Sequence, residues 1–294
     1  MKTSIYIFLS FIGIAFTSCT DVIQLDLADP QPVLVVDGYI SNLDTTQFVK
    51  LSNIENYFAN QEPNYAIHKS ATVALLENGT TAATYVFNDS TAQFETKFAG
   101  TEGKEYQIDI RLEDGTHYIS ASEIMEPFVP IDSLWSEINK NPGGPGPQAG
   151  EITIKLNTKE PKGLGDNYQW KTYLNNDYQN GRGDLFFQED RFVDGQEVKE
   201  LDVFGFSEKY FQEYADVSPN GKVYARVEQI RISYRYFKYL LLVYQQLNQV
   251  GGPFAAPPAE IQGNVYKQGE NEVLALGYFY TAGIDTKTIE VLTK

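Results

Sequence analysis

The sequence predicts a mainly β protein: an N-terminal immunoglobulin- or transthyretin-like β-sandwich, followed by a second β-rich domain carrying one long and one short helix. Three observations predict it. Aromatic residues make up 14% of the chain, with 20 Tyr and 18 Phe, types that suit a pleated, half-buried surface. Short apolar–polar alternations recur from Val33 onward, separated by turn signals rich in Asn, Asp and Gly. Tyr234 to Asn248 stands apart, with Tyr236, Tyr239, Leu240, Val243, Tyr244 and Leu247 at three- and four-residue steps.

The strands of the first domain, residues 33–126, are read in order. Val33 to Ile40 leads, then Gln47 to Ser52, Ala71 to Glu77, Ala83 to Phe87, Gln93 to Phe98, Glu105 to Leu112 and His117 to Ser122. In the sixth, Tyr106, Ile108, Ile110 and Leu112 share one face and Gln107, Asp109, Arg111 and Glu113 the other. Glu77-Asn78-Gly79, Asn88-Asp89-Ser90 and Glu113-Asp114-Gly115 mark turns. Seven short strands with such turns read as a sandwich. Asn53 to Lys69 is a longer insertion.

Pro127 and Pro130 favour extended backbone and end this unit. The second domain, 127–294, opens with Ile131 to Ile138. Asn141 to Pro147, with three prolines and three glycines, then forms a loop. Strands follow at Glu151 to Leu156, Tyr168 to Leu174, Asp184 to Phe187, Val198 to Phe206 and Val223 to Ser233. Ser207 supplies an N-cap for a short helix to about Tyr214. The long helix spans about 234–248 and packs on a sheet; Gly251, Gly252 and Pro253 end it. Glu272 to Tyr280 and Thr286 to Leu292 close the chain as strands.

The N-terminus predicts export. Lys2 and an apolar run from Ile5 to Phe16 make a signal peptide of residues 1–18, short of the roughly 20 apolar residues of a spanning helix. Phe16-Thr17-Ser18 stands before Cys19, the single cysteine, in the pattern of a lipobox. Lipidation of Cys19 would anchor the chain stably by its acyl groups. Residues 19–32 are then the lipidated cysteine and a linker. With one cysteine there is no intrachain disulfide, so packing holds the domains. A formal charge of −16 with no basic block argues against nucleic acid as a partner.

The chemistry-bearing residues do not form an enzyme signature, and the chain is expected to be non-catalytic. His68 and His117 belong to no HExxH, and no Gly-x-Ser-x-Gly elbow is present. Two oxygen-rich turns remain. Asp190 and Asp194 sit near Gly195 with Glu189 and Glu197; Asp177 and Asp184 share a loop with Asn175 and Asn180. Calcium takes six to eight such oxygens, so Asp177, Asp184, Asp190 and Asp194 are calcium candidates, against the alternative of hydrated turns. Tyr57, Phe58, Tyr65, Trp135 and Trp170 are aromatic candidates for stacking on a sugar or a partner, against the alternative of core or edge residues.

The stretch Tyr234-Arg235-Tyr236-Phe237-Lys238-Tyr239, with Gln245-Gln246, Gly251 to Pro258, Gly263-Asn264 and Leu276-Gly277-Tyr278-Phe279, resembles the Bacteroidota lipoproteins grouped as domain of unknown function DUF4249. The Cys19 lipobox, the opening strand Val33 to Gly38 and the junction Pro127 to Leu134 agree with it. The resemblance implies an outer-membrane lipoprotein, often encoded beside a TonB-dependent transporter, and it implies no catalytic residue. The expected function is a lipid-anchored accessory that binds a ligand or docks on such a barrel for nutrient uptake, on either face of the outer membrane. The alternatives are an adhesion or envelope-structural lipoprotein and a glycan hydrolase built on two carboxylates.

Overall fold

The computed structural model describes residues 33–54, 65–139, 150–248, 261–269 and 274–292. Cys19, the linker to residue 32, the loop 141–147 and the segment 251–258 lie outside them. The described chain is mainly β, with two helices. None of its helices is long and apolar enough to cross a membrane.

The predicted strands of the first domain form, but not as a sandwich. β1 (Val33–Ser41), β2 (Thr45–Ile54), β6 (Gln93–Phe98), β5 (Thr80–Asn88), β4 (Thr72–Glu77), β7 (Glu105–Arg111) and β8 (His117–Ser120) pair in that spatial order. β17 (Gln262–Lys267) pairs β8, and β18 (Leu274–Glu290) pairs both β17 and, in parallel, β1. The result is a closed, nine-stranded barrel-like sheet, which replaces the immunoglobulin- or transthyretin-like arrangement expected. An open sheet would leave β1 and β8 with unpaired N–H and C=O groups, and closure removes both edges. Two short strands add to it: β3 (Tyr65–Ile67) on β2 and β9 (Glu123–Ile124) on β7.

The predicted alternation decides the interior. Tyr106, Ile108 and Ile110 of β7 are fully buried, as are Val36 and Ile40 of β1 and Val73 and Leu75 of β4. Val265, Ala275 and Phe279, from the far end of the chain, join the same core. Two fold markers meet at the β17–β18 contact. Asn264 donates from Nδ2 to the Phe279 carbonyl (2.7 Å) and accepts from the Phe279 N–H (3.0 Å), bridging an irregularity in the ladder. Gly277 has φ +79°, and a Cβ there would overlap the Val36 carbonyl.

The second region is two sheets around one core. β10 (Ile131–Ile138), β11 (Glu151–Lys159) and β15 (Glu197–Ser207) form one. The other continues from the second half of β18 through β16 (Tyr224–Ile232) to β12 (Asn167–Leu174), with β13 (Asp177–Tyr178) and β14 (Phe186–Glu189) on β12. Ile152, Ile154 and Leu156 of β11 meet Trp170, Leu174, Ala225 and Val227 between them. The two C-terminal strands expected from sequence are therefore one 17-residue strand serving both lobes.

Helix α1 (Glu208–Val217) starts at Ser207, whose hydroxyl accepts from the Tyr210 N–H at 3.2 Å, as the sequence predicts. Helix α2 (Tyr234–Leu247) is capped likewise by Ser233. Tyr236 and Leu240 are the buried residues of α2. Tyr236 stacks on Tyr280 of β18 at 3.8 Å between ring centroids. Lys171 of β12 donates to the Tyr280 hydroxyl at 3.0 Å and lies 5.0 Å from the Tyr39 ring of β1, tying the second lobe to the barrel.

Candidate functional site

The structure separates the four calcium candidates. Asp184 accepts from the Gly181 N–H at 2.8 Å within its own turn. Asp194 accepts from the Gly163 N–H at 2.7 Å, and Asp177 accepts from the Tyr214 hydroxyl of α1. Asp190 goes elsewhere. With Glu160 and Asp166 it forms a buried carboxylate group, oxygens within 4.8 Å of one another, and none of the other three candidates belongs to it. Trp170 is a core residue, donating from its indole to Gln229 at 3.0 Å, and Trp135 is half-buried on β10. The side chains of Tyr57, Phe58 and Tyr65 lie outside the described residues.

The loop sequence builds this cluster. Glu160 follows β11 and Asp166 precedes β12, joined by Pro161-Lys162-Gly163-Leu164-Gly165. Gly163 and Gly165 have φ +122° and +119°, a region that favours glycine, and they turn the chain back so that both acids face inward. Asp190 follows β14; its N–H donates to the Asp166 carbonyl at 3.0 Å, and its carboxylate accepts from the Gly165 N–H at 3.0 Å. Arg231, at the end of β16, pairs with Asp166 and lies 3.9 Å from Glu126. Tyr168 donates to Glu160 at 2.9 Å. Glu160, Asp166 and Arg231 are not among the site residues expected from sequence; the two acids flanking a Gly-x-Gly turn are the signal that could have pointed to the cluster.

Three buried carboxyls against one guanidinium cannot all stay charged cheaply. Burial, reinforced by the Asp166 charge, raises Glu160 from the usual 4.5 to about 7. The folded state thus keeps a proton that the unfolded chain releases, and its stability falls as pH rises from about 4.5 to about 7. The slope is at most about 1.4 kcal/mol per pH unit. Glu160→Gln is expected to flatten this window. Urea midpoints of both proteins across pH 4 to 8 check it; parallel curves would refute it.

The adjoining cavity, bounded by Glu160, Asp190, Tyr168, Trp170 and Gln229, has a volume of about 40 Å³, enough for water but not for a sugar ring. A calcium ion in the cluster would compete with the contacts its carboxylates already make: Arg231 on Asp166, the Tyr168 hydroxyl on Glu160 and the Gly165 N–H on Asp190.

A larger space opens on the other side of the Arg231–Asp166 pair. This cleft of about 590 Å³ lies at the seam of barrel and second lobe, within the size range of small-molecule sites. Glu105 and Glu126 line it from the barrel rim, Arg231 from β16, and Tyr234 and Arg235 from the first turn of α2. Glu123 forms part of its base, 2% exposed, accepting from the Tyr278 hydroxyl at 2.9 Å. Burial pushes the Glu123 carboxyl above the usual carboxylate range.

Fold and site define a β-rich protein in which a closed barrel and a two-sheet lobe share a strand and flank an open polar cleft. The profile of the family described as Domain of unknown function (DUF4249) matches residues 20–288, and the chain belongs to that family. No curated protein matches the sequence.

Proposed function

We propose that this protein is an outer-membrane lipoprotein, anchored through Cys19, that serves without catalysis as an accessory in nutrient uptake. In this reading it binds a small ligand in the seam cleft and docks on a TonB-dependent barrel. The observation that carries the reading is the cleft itself: two lobes tied by one strand present charges of both signs to a space of about 590 Å³, the kind of inter-lobe setting where ligand sites concentrate. The lipobox at Cys19 supplies the anchor, and a formal net charge of −16 argues against nucleic acid as a partner.

The test is a pull-down of the tagged lipoprotein from detergent-solubilised outer membranes. A stoichiometric barrel partner is expected. A lipoprotein recovered alone would refute docking and favour the adhesion or envelope-structural role.

A second reading draws on Glu160, a buried carboxyl with a raised pKa beside two further carboxylates, the arrangement a glycan hydrolase would use. The water-sized cavity beside it disfavours this reading, since a sugar ring has no access there. Glycan turnover abolished by Glu160→Gln in a folded protein would restore it.

A further inference from the structure

We infer that the ligand of the seam cleft is a small zwitterion, a free α-amino acid or a very short peptide with an apolar side chain. The inference rests on the reading of the cleft as a binding site and names the chemistry it selects.

Some of the charges lining the cleft are already paired. Arg231 is held by Asp166, and it contributes a cationic floor with little charge to spare. Glu123 is buried and takes the Tyr278 hydroxyl. Two kinds of charge are left facing the cleft. On the helix side stands Arg235, exposed and with no carboxylate at ion-pair distance among the described residues. Its helix has no acidic residue in the first turn, so the positive end of the helix dipole adds to it. On the barrel side stand Glu126, with 40% of its side chain exposed and a long 3.9 Å ion pair to Arg231, a guanidinium already bound to Asp166, and Glu105, whose carboxylate accepts from the Ser122 hydroxyl at 3.0 Å.

A cleft polarised in this way repels a simple anion from one wall and a simple cation from the other. It is satisfied by a molecule that carries a carboxylate towards Arg235 and an ammonium towards Glu105 and Glu126. The apolar part of such a molecule also has partners. Ile124 and Tyr234, both lining the cleft, are 48% and 58% exposed, large apolar side chains whose faces a ligand would cover. An amino acid with an aliphatic side chain meets all three requirements at once.

The experiment is isothermal titration of the full-length lipoprotein, purified in detergent, with L-leucine, N-acetyl-leucine, leucine amide and the dipeptide Leu-Leu. Leucine or Leu-Leu is expected to bind, and loss of either charge in the two blocked forms to weaken binding about tenfold or more. Arg235→Gln and Glu126→Gln should each reproduce one half of that loss, while the unliganded melting temperature of Arg235→Gln stays at the wild-type value. Binding of N-acetyl-leucine as tight as that of leucine would make the cleft an anion site and overturn the inference. So would equal binding of leucine amide, or no heat from any of the four probes. If a barrel partner co-purifies while all four probes fail, the accessory role stands and the ligand class falls. Failure of both experiments removes both readings.

Discussion

Replacing Arg231 by methionine is expected to lower the stability of the folded protein by about 3–5 kcal/mol at pH 8, the usual cost of leaving a buried ion pair half-removed. Arg231 is the cation paired with Asp166 of the buried carboxylate cluster, with only 15% of its side chain exposed. Methionine fills much of the stem volume but leaves Asp166, and the acidic groups clustered with it, without the compensating cation. The deficit should depend on pH in a defined direction. Buried carboxyls without a partner bind protons more readily in the folded than in the unfolded state, so the penalty is complete above their folded pKa values and shrinks as they are protonated. Urea denaturation at pH 5 and pH 8 separates this from a packing defect: a loss that is the same at both values would mean that charge is not the cause. Asp166→Asn in the Arg231→Met background should recover part of the loss at pH 8, because it removes one of the stranded charges.

The second large effect belongs to Gly277. An alanine there would place its Cβ on the carbonyl oxygen of Val36, backbone against backbone, at a φ of +79°. That contact lies where β18 closes the barrel on β1, with Val36 opposite Gly277 in register. Neither strand can yield without breaking the parallel ladder, so a loss of about 4 kcal/mol or more is expected, in the exceptional range for a single substitution. Gly79→Ala is the matched control. Its φ is +76°, yet nothing lies within 4 Å of the added carbon, so only the left-handed strain of about 1–2 kcal/mol remains. Thermal unfolding of the two variants side by side reads the difference. Equal losses would show that the closure is not crowded at Gly277.

Much of the local structure was legible from residue patterns. The alternation in β7 placed Tyr106, Ile108 and Ile110 inward because a strand has a period of two, whatever it pairs with. Ser207 marked the start of α1, since a hydroxyl there meets an orphan backbone N–H. The three- and four-residue steps of α2 identified a packed helix, although burial is confined to Tyr236 and Leu240 in its first half. The site was far less legible. Asp190 was singled out for calcium beside Asp194, its neighbour in sequence, whereas its partners are Glu160 and Asp166, brought in from across a Gly-x-Gly turn. The cleft joins side chains from residue 105 to residue 235, and a sequence carries no sign of such a meeting.

The sequence by itself determined the β class, the strand faces and the Ser207 cap, because these depend on interactions within a few residues of each position. Tertiary structure alone decided that β1 closes on β18, more than 200 residues away, and that one strand serves both lobes. It decided as well that acids from two loops share one buried space, one of them paired with Arg231. Edge pairing is made of backbone groups common to every residue, and buried charges find their partners through space. Neither leaves a pattern along the chain.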